Sequence, residues 1–171
     1  MPAAYRPGIV GQIVLLHAEY YSREWGFGMP FEAKVAAELS QFLRTFREGV
    51  DFFAAEFEGA TLLGTISLEG PTAADSIGHL RWFITSDAAR GTGLGRRLLD
   101  RAVTHGDEAG FPGIYLTTFA DLAPARHLYE EMGFRLTAEA EADQWSGGVR
   151  EQRFERVRPT ARPSVAVSEA R

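Results

Sequence analysis

Three glycines within five residues, flanked by arginines, are the residues of this chain best suited to chemistry: Arg90-Gly91-Thr92-Gly93-Leu94-Gly95-Arg96-Arg97. Without a Cβ, successive backbone N–H groups can turn into one concavity and let a ligand approach the main chain. The turn follows an apolar stretch, Leu80-Arg81-Trp82-Phe83-Ile84-Thr85, and runs directly into a helical pattern from about Gly93 to Glu108. A helix starting there adds its unpaired N–H donors and the partial positive charge of its N-terminus. Strand end, glycine turn and helix start together suit a phosphate group. Arg90, Arg96, Arg97 and Arg101 against Asp100 alone make the segment positive within a chain of formal charge −5, so a polyanion is the expected ligand. Taken alone, the same residues also fit a tight turn followed by a solvated arginine face.

Other common readings of such a turn fail on spelling. The dinucleotide fingerprint needs glycine at position 96, where Arg96 stands, and the Walker pattern needs a lysine that is absent. Lys34 is the single lysine among 18 cationic side chains. There is no cysteine, which excludes disulfides, thiolate metal sites and a cysteine nucleophile. The four histidines, at 17, 79, 105 and 127, have no metal-ligand spacing, so no metal is expected. The negative charge argues against nucleic acid as a partner of the whole chain. No apolar run of about 18 residues is present, so no membrane span is expected, and the start MPAAYRPG lacks an apolar signal stretch. A cytoplasmic location follows as the default expectation.

The elements that must position the turn can be read from periodicity. Ile13, Leu16 and Tyr20 recur at helical spacing until Trp25-Gly26-Phe27-Gly28 breaks the pattern. A second helix is expected from about Phe31 to Phe46, buried through Val35, Leu39, Phe42, Leu43 and Phe46. Phe52 to Phe57 and Leu62 to Leu68 around Glu58-Gly59 read as a hairpin. A strand from about Ile77 to Thr85 should place Leu80, Trp82 and Ile84 on one face, and Arg81, Phe83 and Thr85 on the other. After the glycine turn and its helix come a strand, Gly113 to Phe119, and a helix N-capped by Asp121 with the stripe Leu122, Ala125, Leu128, Tyr129 and Met132. Strands near Phe134 to Glu139 and Arg150 to Val157 complete one domain, residues 1–157, with 158–171 expected as a flexible tail. The fold class is α/β: a mixed, largely antiparallel sheet flanked by helices on both faces.

Arg90 to Gly95 spells [Q/R]-x-x-G-x-[G/A], and Ala125-Arg126-His127-Leu128-Tyr129-Glu130-Glu131-Met132-Gly133-Phe134 spells A-x-x-L-Y-x-x-x-G-F. With a strand before the first motif and Ile114 to Phe119 before the second, residues 8–157 resemble the GCN5-related N-acetyltransferases (GNAT). The N-terminal segment, His17, Tyr20, Tyr21, Glu24 and Trp25-Gly26-Phe27, resembles the acetyltransferase domain often fused behind a MarR-type winged helix. No winged helix is present in this chain, so any regulatory role is expected to be indirect.

The resemblance implies acetyl-CoA as co-substrate and an amine acceptor as the second partner. By motif position, Phe83, Ile84 and Thr85 would bond the pantetheine through their main chain, with the N–H near Phe83 polarising the thioester carbonyl. The N–H groups of Arg90 through Arg96 (Arg90, Gly91, Thr92, Gly93, Leu94, Gly95 and Arg96) would hold the pyrophosphate. Tyr129 matches the family's general acid, and the helix stripe gives it a second reading as a core residue. Many family members carry asparagine where this chain has Leu122. Glu24 is taken as the general base because it sits among aromatics in the segment that walls the acceptor site; Glu32, Glu69, His17 and His79 are further candidates. Those aromatics also read as core packing. The family often pairs through its C-terminal strands, so a homodimer is one expected state; Trp145 is either part of that contact or loop packing. The function implied is acetyl transfer to a primary amine of a small molecule or peptide. Its alternatives are a non-catalytic acyl-CoA-sensing module acting through a partner protein, and use of a longer acyl group.

Overall fold

The computed structural model describes residues 4–120, 122–141 and 150–159. Two helices come first, α1 (Ile9–Trp25) and α2 (Met29–Arg44), followed by β1 (Phe52–Glu58), β2 (Thr61–Glu69) and β3 (Gly78–Thr85). A short 3-10 turn, Asp87–Ala89, leads to α3 (Leu94–Glu108), then β4 (Gly113–Phe119), α4 (Ala123–Glu131), β5 (Arg135–Glu141) and β6 (Arg150–Val157). The periodicity therefore locates every element, with ends shifted by one or two residues. The N-cap of α4 is Leu122, without a side-chain cap bond, in place of the expected Asp121; residue 121, the tryptophan at 145 and the tail from residue 160 lie outside the described residues.

Local sequence accounts for where the first helices begin and end. Gly26, in the left-handed region at φ 68°, closes α1 by giving its N–H to Ser22 O at 2.9 Å. Pro30 occupies the first turn of α2, where its missing N–H costs nothing. Phe31, Val35, Leu39 and Phe42 then form the buried stripe of α2 at spacings of four, four and three.

The sheet runs β1-β2-β3-β4-β6-β5, antiparallel throughout except for the parallel β3/β4 pair. One face carries α3 over a core of Leu68, Leu80, Leu98, Ile114 and Phe154. Gly106 lets α3 lie this close: a Cβ there would meet Ile114 Cδ1 at 2.8 Å. The opposite face packs against α1 and α2 through Ile13, Leu39, Phe42 and Trp82. Arg156 of β6 ties the first layer together. It donates to both carboxylate oxygens of Asp107 at 2.8 Å and to Met132 O at 3.0 Å.

The strict alternation expected along β3 breaks in the middle of the strand. Leu80, Trp82 and Ile84 are all buried, but Leu80 belongs to the α3 core and Trp82 to the core beneath α1 and α2. Trp82 has φ 46°, and the register against β2 shifts between Thr65↔Ile84 and Ser67↔Arg81. This is a β-bulge, in which an extra residue on one strand turns the following side chains to new faces.

Candidate functional site

β3 and β4 pair at only two positions, Gly78↔Ile114 and His79↔Tyr115. Beyond them the strands part, and a cleft of about 870 Å³ opens between them. It is lined by the end of β3 (Phe83, Ile84, Thr85), by Gly95 of α3, and by Leu128 and Tyr129 of α4. The same lining includes His17, Tyr20 and Tyr21 of α1, Phe31 of α2, and Phe119 of β4.

The glycine turn borders the cleft through Arg90 and Gly95. Gly91 and Gly93 both have φ 74°, the left-handed conformation that favours glycine, and α3 starts at Leu94 without a side-chain cap. Part of the turn is satisfied internally. Arg90 N–H bonds Asp87 O at 3.1 Å, Thr92 N–H bonds Ala89 O at 3.3 Å, and Leu94 N–H reaches Thr92 Oγ1 at 3.4 Å. The N–H groups of Gly91, Gly93, Gly95 and Arg96 have no such partner among the described residues. The expectation of donors running from Arg90 through Arg96 is thereby narrowed to those four.

The arginines are held along the turn and helix. Arg90 pairs with Asp87 at 2.8 Å, Arg97 Nη1 bonds Thr92 O at 2.8 Å, and Arg96 pairs with Glu131. Arg101 instead reaches Glu56 on β1 at 2.7 Å. Of the predicted cofactor residues, Phe83, Ile84, Thr85, Arg90 and Gly95 line the cleft. Gly91, Thr92, Gly93 and Arg96 are exposed on the turn beside it, and Leu94 is buried in the core.

Tyr129 lines the cleft from a ring position that is 5% exposed, within about 6 Å of Phe83, Phe134 and Phe154. Burial, with the Tyr21 and Tyr20 phenols nearby, pushes its pKa far above the usual 10, so the phenol stays protonated. Its hydroxyl makes no hydrogen bond to any described residue. The core reading of Tyr129 holds, and the same residue also lines the cleft. At the nearby strand-to-helix junction, Leu122 is buried, gives its N–H to Phe119 O at 3.2 Å and accepts Arg126 N–H at 3.0 Å. Backbone thus satisfies the place where many relatives have asparagine.

The candidate bases separate. Glu24 does not line the cleft; its half-exposed carboxylate takes Arg23 Nε at 2.9 Å in the last turn of α1. Glu32 and Glu69 also lie outside it, whereas His17 and His79 line it. His79 stacks on Tyr115 with centroids 4.2 Å apart, and its pKa falls to about 3 through burial and then the Arg81 charge. Burial lowers His17 to about 4, against the opposing pull of its bond to Ile13 O. The structure also brings in two carboxylates the sequence did not single out, Glu38 and Glu151. Glu38 looks like an ordinary solvated charge on α2, and Glu151 arrives only because β6 inserts beside β4. Periodicity shows neither. The aromatics of the α1 segment divide as well: Tyr20 and Tyr21 face the cleft, while Trp25 and Phe27 pack behind them.

Comparison with known proteins agrees with this architecture. The sequence profile described as the acetyltransferase (GNAT) family matches residues 10–134. No curated protein matches the chain in sequence. Among solved structures, the chain is similar to a ribosomal-protein-alanine N-acetyltransferase from Brucella melitensis. That match has TM-score 0.72 and 14% identity, covering 90% of this chain and 97% of that one. It is also similar to an acetyltransferase of the GNAT family from Staphylococcus aureus, with TM-score 0.70, 17% identity, and 90% and 96% covered. A mutant spermidine N-acetyltransferase from Vibrio cholerae matches with TM-score 0.60, 20% identity, and 86% and 90% covered. At these identities the structural matches establish the fold.

Proposed function

Since the chain belongs to the acetyltransferase (GNAT) family, we propose that it moves the acetyl group of acetyl-CoA to a primary amine of a small molecule or peptide, by direct attack. One observation carries the reading. From Leu80 to Thr85, β3 has lost its β4 neighbour, so main-chain donors and acceptors on that side face the cleft. Pantetheine is an extended chain with two amides, and an unpaired strand edge binds such a chain much as it would bind another strand. The unpartnered N–H groups of Gly91, Gly93, Gly95 and Arg96 take the pyrophosphate, with Arg90 beside them.

The chemistry then needs a polarised thioester, a neutral amine and a proton for the leaving sulfur. A main-chain N–H near Phe83, just past the bulge at Trp82, polarises the carbonyl. The amine nitrogen bonds to the carbonyl carbon and the carbon–sulfur bond breaks. The nitrogen loses a proton to water in the cleft, the departing thiolate takes one from the Tyr129 hydroxyl, and water returns a proton to the phenolate. Glu24 has no part in this scheme. Tyr129 is supported by its neutral, unpartnered phenol at the cleft wall. The resemblance of the N-terminal segment to domains fused behind MarR-type regulators belongs to the same proposal and bears on control rather than chemistry.

The test is amine-dependent release of free CoA thiol from acetyl-CoA. Turnover supports the enzyme. Acetyl-CoA binding without turnover against any amine leaves the acyl-CoA-sensing module, and preference for a longer acyl-CoA changes the donor.

A further inference from the structure

The cleft wall formed with α1 is largely aromatic. Tyr21 is its centre: its ring lies 4.8 Å from Phe31, 5.2 Å from Tyr20 and 5.8 Å from Phe119, centroid to centroid. The charged groups that α2, β3 and β6 bring to the cleft already have partners. Glu38 is held by Arg81 and by Lys34 at 3.6 Å, Arg81 also approaches Glu69 at 3.8 Å, and Glu151 is engaged by contacts of its own. A polycation entering here would have to break ion pairs or lose its hydration without a counter-charge, either of which is costly.

His17 is the exception among these neutral walls. It is 5% exposed and stacks parallel to Tyr21 at 6.2 Å. Nδ1 bonds the Ile13 carbonyl at 2.8 Å. A carbonyl only accepts, so Nδ1 carries the hydrogen, and in the neutral ring Nε2 keeps its lone pair. No described residue donates to Nε2. Nor is Nε2 among the sealed, unpartnered side-chain atoms, which are Ser67 Oγ, Ser86 Oγ and Gln152 Oε1. The ring lines the cleft, and Nε2 is its ring nitrogen without a partner among the described residues.

We propose that the cleft beside this wall admits a primary amine carried on an aromatic or apolar body, and that His17 Nε2 accepts a hydrogen bond from the amine N–H. Resting on the acetyl-transfer reading, the inference names the class of acceptor. The body lies against Tyr20, Tyr21, Phe31 and Phe119, where apolar surface leaves water. One N–H goes to His17, which leaves the nitrogen lone pair free for attack.

The experiment compares 2-phenylethylamine with spermidine as acceptors for the full chain, with acetyl-CoA binding measured separately. It also compares His17→Asn with His17→Gln. An asparagine amide N–H falls near Nδ1 and keeps the Ile13 bond while removing the cleft acceptor. A glutamine amide oxygen falls near Nε2 and keeps the acceptor while losing the bond. The expected results are kcat/KM at least tenfold higher for 2-phenylethylamine, and a three- to tenfold rise of its KM in His17→Asn with acetyl-CoA affinity unchanged. His17→Gln should recover much of that KM even though it melts lower. Preference for spermidine, no turnover of either amine while acetyl-CoA binds, or an unchanged KM in His17→Asn would overturn the inference. The amine comparison needs no variant, so it decides even where a variant folds poorly. Failure of acetyl-CoA to bind would instead sink the acetyl-transfer reading itself.

Discussion

Replacing Tyr129 by phenylalanine removes one oxygen from the centre of the proposed chemistry and almost nothing from the fold. The ring is packed by Phe83, Phe134 and Phe154, and phenylalanine fills the same place. The hydroxyl makes no hydrogen bond to a described residue, so the folded state loses none; stability should change by less than about 1 kcal/mol. The effect on rate is bounded from the other side. Positioned general acids contribute about 10²–10⁴, but a CoA thiol has a pKa near that of cysteine, about 8.5, below a phenol's usual value of about 10 and further below that of the buried Tyr129. A leaving group already able to depart as thiolate gains least from protonation, which puts the loss of kcat at about ten- to a hundredfold, or about 1.4–2.7 kcal/mol of barrier. Because burial keeps the phenol protonated, the ratio of wild-type to variant kcat should stay level from about pH 7 to about pH 9. The assay is kcat with both substrates saturating, alongside acetyl-CoA affinity by calorimetry and a thermal melt. An unchanged kcat with chemistry rate-limiting would refute the acid role, as would a ratio that collapses towards pH 9. A large drop in melting temperature would instead mark Tyr129 as structural.

Other consequences can be checked more briefly. Gly93→Val forces a β-branched residue into φ 74°, with its Cβ 3.4 Å from Arg97 Nη1. The strain is about 1–2 kcal/mol, to be read as a lower melt and about tenfold weaker acetyl-CoA binding. His17 falls from 6.5 to about 4 in the fold, so below about pH 6.5 the unfolded chain binds a proton that the folded chain refuses. Stability should therefore drop as pH falls from about 6.5 towards 4, by about 3 kcal/mol from His17 and further in the same direction from His79. Urea denaturation at several pH values reads this directly, and His17→Asn should flatten the curve. Asp107→Ala leaves the Arg156 guanidinium, only 10% exposed, with Met132 O as its remaining partner. The expected loss is about 2–3 kcal/mol in denaturant titration.

What the sequence made legible was whatever is covalently local. The glycine turn lies within eight consecutive residues, and both its glycines at φ 74° and the start of α3 follow from residue type. Helix stripes and strand spans were readable because burial repeats at fixed spacing. The bulge at Trp82 was not, because it depends on how β2 lies opposite, and one extra residue there undoes the expected alternation of β3. Glu24 shows a different limit. It shares the helical stripe of His17, Tyr20 and Tyr21, but it stands in the last turn of α1, where Arg23 draws it outward. Spacing gives the stripe and tertiary structure decides where along it the cleft ends. Glu38 and Glu151 reach the cleft through helix docking and strand insertion, events no short segment encodes.

The central claim is that the parted strands and the glycine turn hold acetyl-CoA, and titration calorimetry of acetyl-CoA at two salt concentrations tests it most directly. Binding should be micromolar and should weaken as salt rises, since phosphates on backbone donors beside Arg90 and Arg96 are screened. Gly93→Val should lose most of that binding. No binding at low salt would reduce the turn to a structural corner, as would binding indifferent both to salt and to the substitution.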